Sequence, residues 1–117
     1  MDLRDLVHAI LRGDLLSARQ WVADAYRSRL QWEHCARPDE MDDRELAVAA
    51  GLTELLAQRV GAQPPSWTKS IGAHREPVFL DPGIETMPRT LARAKSHGPD
   101  SLRKRNLFAL PDFLDVR

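Results

Sequence analysis

The chain has 117 residues, 43% of them hydrophobic and 29% charged, with 17 basic and 17 acidic side chains and a formal net charge of +0. That length suits one domain and excludes a two-domain enzyme, and the balanced charge leaves no bulk attraction for a polyanion or an anionic membrane. No apolar run approaches the ~20 residues that cross a bilayer. The opening MDLRDLVHAI carries acids where a signal peptide carries bases, and Cys35 has no second cysteine to pair with; together these predict a cytoplasmic protein.

Seven of the eight prolines (64, 65, 77, 82, 88, 99 and 111) lie after residue 63, which divides the chain into a helical body, residues 1–63, and a proline-rich segment, residues 64–117. Charge divides mildly with them: residues 1–65 hold 8 bases and 11 acids, and residues 66–117 hold 9 and 6. Fourteen of the bases are arginine and three are lysine, a bias expected of a GC-rich bacterial genome or, alternatively, of bidentate contacts to carboxylate or phosphate.

In chain order, Leu3, Leu6, Val7, Ile10 and Leu11 recur at helical spacing with Asp2 placed to cap them. Gly13 and Asp14 predict a tight turn, after which Leu15, Ala18, Val22 and Ala25 continue an apolar stripe to about Arg29. Asp39, Glu40, Asp42 and Asp43 form an acidic cluster suited to a helix start. Residues 44–60, RELAVAAGLTELLAQRV, fit either one long helix or a second hairpin broken at Gly51. Pro64 and Pro65 force extended backbone, and Trp67 after them is placed to anchor the connection. Val78 to Leu80 reads as one short extended segment. Pro88 opens a helix closed by Gly98 and Pro99, and a last short helix begins at Asp100 or Ser101 and runs through Arg105. The apolar tail Phe108, Leu110, Phe113 and Leu114 is expected to be packed rather than solvated. The fold class is therefore mainly α: stacked helical hairpins over residues 2–61, capped by a proline-rich segment with short helices.

Segments 6–22 and 44–60, laid 38 residues apart, share Ala9/Ala47, Gly13/Gly51, Gln20/Gln58 and Val22/Val60. AILRGDLLSARQWV resembles the helix-turn-helix portion of an ankyrin repeat, and AVAAGLTELLAQRV repeats its Ala, Gly and Val positions; the lead-in that the family writes Thr-Pro-Leu-His is Arg4-Asp5-Leu6-Val7 here. This resemblance implies stacked helical hairpins. The whole chain, through ELAVAAGL, PPSWT, EPVFLDP and RKRNLFALPDF, also resembles a set of short bacterial proteins from GC-rich genomes, which implies a bacterial origin and brings no catalytic residue with it.

Chemical signatures are sparse. The six glycines are isolated, so no phosphate loop is present, and His34 next to Cys35 has neither the spacing of a zinc site nor the geometry of a nucleophile with its base. No cofactor and no metal are expected. Ala47, Gly51, Leu52 and Thr53 approximate a helix-turn-helix pattern, but a recognition helix from Thr53 would carry Arg59 as its only base. Arg103, Lys104 and Arg105, supported by Arg89, Arg93, Lys95 and His97, are the basic feature that suits an acidic partner or phosphate. Trp21 and Trp32, eleven residues apart, share a helical face if the second helix extends that far, and Trp and Arg dominate interface hot spots. The candidate binding residues are thus Arg103, Lys104, Arg105, Phe108, Phe113, Trp21 and Trp32. They support a non-enzymatic protein-binding module or small regulatory accessory protein, with nucleic-acid binding as the alternative and an unrecognised enzyme third.

Overall fold

A computed structural model describes residues 2–116. Asp2 accepts the Arg4 amide at 2.9 Å and so starts α1 (Leu3–Leu11), whose buried face is Leu3, Leu6, Val7, Ala9 and Ile10. Gly13 supplies the left-handed turn (φ 78°) and Asp14 caps α2 (Leu15–Arg27), which buries Ala18, Val22 and Ala25 against α1. The predicted first hairpin is formed. α2 ends where Arg29 enters the left-handed region (φ 55°) and Leu30 N–H reaches back to the Ala25 carbonyl. Trp32 therefore sits in a separate 3-10 turn, Trp32–His34, and comes within 6.4 Å of Trp21 through chain reversal rather than through a shared helical face.

Residues 44–60 form one helix. α3 (Asp43–Arg59) begins with a capping box between Asp42 and Glu45 and buries every residue from Ala47 to Ala57 except Glu54. It runs unbroken through Gly51, so the body is one hairpin braced by one long helix. The physical reason lies outside the helix: a Cβ on Gly51 would stand 2.9 Å from Leu102 Cδ2 and 3.0 Å from Leu107 Cδ1. The glycine permits close approach of the C-terminal segment rather than a turn.

The proline-rich half wraps this core. Its first anchor is Trp67, in the 3-10 turn Ser66–Ser70, whose indole donates to the Cys35 carbonyl at 2.8 Å. β1 (Val78–Phe79) pairs in parallel with β2 (Leu107–Phe108), Val78 against Leu107 and Phe79 against Phe108, a partnership absent from the sequence reading. Between them lie the 3-10 turn Ile84–Thr86, α4 (Pro88–His97) and α5 (Asp100–Arg103). Phe113 and Leu114 are buried, and Arg59 holds their approach by donating to the Phe113 and Pro111 carbonyls. The fold is mainly α, and no helix among the described residues is long and apolar enough to cross a membrane.

Candidate functional site

The contiguous bases 103–105 meet three different environments, because consecutive positions on a short helical turn point in different directions. Arg103 donates to the Ser96 carbonyl at 2.8 Å and pairs with Asp100. Lys104, largely exposed, sets its ammonium 2.9 Å from Glu54 Oε1. Arg105 is 2% exposed and lies inside the protein. Its Nε donates to the Ile71 carbonyl at 3.1 Å, one terminal nitrogen to Glu54 Oε1 (2.6 Å) and the Ser101 carbonyl (2.9 Å), the other to Glu54 Oε2 (3.0 Å) and the Thr68 carbonyl (2.8 Å). All five guanidinium donors are thereby satisfied. Burial pushes the Glu54 carboxyl upward, but the hydrogen bonds from Arg105 and Lys104 outweigh it and hold it at about 2. Arg105 is consequently a structural clamp, with no donor left for a partner.

The aromatic candidates divide in the same way. Trp32 is 3% and Phe113 4% exposed, so both belong to the core. Trp21 is half-buried and gives its indole N–H to the Asp2 carbonyl at 3.0 Å. Phe108 alone joins a basic surface: it is half-buried, its ring lies 6.1 Å from that of Phe79, and the Lys95 ammonium stands 5.9 Å over it.

That surface is α4. The helix buries only Ala94 and exposes Arg89, Arg93, Lys95 and His97, and no acidic residue occurs from Thr86 to Pro99. Arg89 and Arg93 lie four residues apart on its outer face, and among the described residues neither has a hydrogen bond or ion pair. The sequence marked these arginines only as supports for the 103–105 run; the structure removes Arg105 from that run and leaves α4 as the exposed basic face. Glu54 was missed altogether. Its signal is an acid alone in the apolar stretch Leu52-Thr53-Glu54-Leu55-Leu56, a placement that requires a buried partner.

The other candidate chemistries find little geometry. His34 is exposed beside Glu33, and burial pushes the Cys35 thiol up, away from the thiolate a nucleophile needs. Among the described residues no three His, Cys, Asp or Glu side chains converge in a metal-holding group. Leu52, Thr53, Leu55, Leu56 and Ala57, the helix-turn-helix candidate, are buried in the core and offer no face to a DNA groove. No protein family, curated protein or solved structure matches the chain.

Proposed function

We propose that the chain is a non-enzymatic binding module, a small regulatory accessory protein of a bacterial cytoplasm, that docks an acidic protein surface through α4. The observation that carries this reading is the acid-free outer face of α4, where the Arg89 and Arg93 guanidinium groups stand without carboxylate partners. Guanidinium forks match carboxylates bidentately, and the Phe79 and Phe108 rings add half-buried apolar area under Lys95 of the same helix. The formal net charge of +0 favours a local charged patch on a folded partner over the long-range field of a nucleic acid.

The test compares tagged wild type with an Arg89→Gln/Arg93→Gln/Lys95→Gln variant, each recovered from lysates of the source organism with and without nuclease and read by mass spectrometry. A stoichiometric partner that survives nuclease with wild type and is lost from the variant is the expected result. Loss with nuclease would replace the reading by nucleic-acid binding, and undiminished recovery by the variant would remove α4 from the interface.

A further inference from the structure

Residues 71–76, between the 3-10 turn Ser66–Ser70 and β1, form no helix or strand, yet they are fixed to the core at several points. Arg105, itself gripped by Glu54, holds the Thr68 and Ile71 carbonyls; the His74 amide donates to the Arg105 carbonyl at 3.0 Å, and Asn106 Nδ2 donates to the His74 carbonyl at 3.1 Å. His74 Nδ1 is in turn engaged by the Glu76 backbone. A buried, fully bonded guanidinium thus positions an otherwise irregular loop.

The loop makes one wall of a cleft of about 670 Å³, and the first turn of α3 with Arg37 makes the other. Arg37, Arg44 and Arg75 line it, all exposed, and among the described residues none of the three has an ion pair or hydrogen bond. Asp42 and Asp43 line the same cleft. Asp42 is committed to the capping box, accepting the Glu45 amide at 2.8 Å while Glu45 Oε1 accepts the Asp42 amide at 3.2 Å. The capping box thus satisfies the Asp42 and Glu45 amides, and the charge of the cleft is set by the three guanidinium groups, which outnumber the two acids.

We infer that this cleft is a binding site for a compact phosphate oxyanion, inorganic phosphate or pyrophosphate in class, held by Arg37, Arg44 and Arg75 on opposite walls. Guanidinium forks suit tetrahedral oxyanions, and a wall already fixed by Arg105 loses little freedom when the ligand enters. The site is independent of α4.

Pyrophosphate is titrated into the 15N-labelled protein at constant ionic strength, following the Gly72 and Ala73 amides and, in parallel, Arg44→Gln, Arg75→Gln and Arg89→Gln/Arg93→Gln variants. The arginines exchanged are exposed and unpaired, so the variants retain the fold. The expected result is saturable one-site binding that weakens roughly tenfold or more in each of Arg44→Gln and Arg75→Gln and is unchanged in Arg89→Gln/Arg93→Gln. Non-saturating shifts spread over all arginine-rich surfaces, or equal affinity in the Arg44 and Arg75 variants, would overturn the site. Tighter binding of citrate than of pyrophosphate would overturn its assignment to phosphate.

Discussion

Replacing Glu54 by glutamine (Glu54→Gln) keeps the shape of the side chain and removes the only carboxylate that Arg105 touches, leaving a 2% exposed guanidinium with neutral acceptors alone. Breaking one side of a buried ion pair costs about 3–5 kcal/mol when the remaining charge stays buried. A second route gives a compatible figure: the Glu54 carboxyl is lowered from 4.5 to about 2, worth roughly 2–3 kcal/mol at pH 7 after allowing for the part of the side chain that remains in water. Because the folded-state value is the lower one, this stability is present above about 4.5 and is lost as pH falls towards about 2. Urea unfolding of wild type and Glu54→Gln at pH 7 and pH 3, with both slopes fitted, measures the difference directly. The deficit of the variant should be about 2–3 kcal/mol at pH 7 and shrink to about half or less at pH 3. A deficit that does not change with pH would refute the reasoning, since it would assign the loss to packing rather than to the carboxylate charge.

Gly51→Ala should destabilise the protein by about 1–2 kcal/mol, because overpacking against Leu102, Leu107 and the Ser101 carbonyl exceeds the roughly 1 kcal/mol gained in helix propensity; a raised melting temperature would contradict the close-approach role. Asp42→Ala removes the capping box of α3 and should cost about 1 kcal/mol in urea unfolding, with an unchanged denaturant slope. Asp81 accepts the Leu110 amide at 2.8 Å while burial, aided by Asp112, pushes its carboxyl up. A raised folded-state value means a stabilising contribution that fades as pH rises above about 3.8, so Asp81→Asn, which retains an acceptor oxygen, should gain stability relative to wild type between pH 3 and pH 7. Thermal melts across that range check the sign, and a relative loss would show that the charge itself holds Leu110.

What the sequence disclosed was local in origin. The Asp2 and Asp14 caps, the left-handed Gly13, the acidic start of α3 and Pro88 at the head of α4 each act within a turn of their own position, and each is where its residue type predicts. Gly51 misleads for the opposite reason: its role is set by Leu102 and Leu107, some fifty residues away in the chain, and helical spacing carries no trace of them. The β1–β2 ladder is likewise a contact between distant two-residue strands, too short to show alternation. Among the candidate site residues, the RKR run was visible as charge, but charge alone does not separate an arginine that faces solvent from one that clamps a loop. Only the solitary Glu54 inside an apolar helix forecasts that one base must turn inward, and that inference joins two segments the sequence keeps fifty-one positions apart.

This separation of roles makes the two binding readings testable without unfolding the protein. Glu54 and Arg105 tie α3, the 68–74 loop and the start of β2 into one unit, so changes there alter stability and the cleft wall together. Arg89 and Arg93 on α4, and Arg37, Arg44 and Arg75 in the cleft, have no bonded partners among the described residues, so exchanging them for glutamine removes charge while leaving the core contacts in place. A loss of binding in those variants at constant melting temperature therefore reports recognition, and the choice between the α4 face and the cleft is made by which arginines produce it.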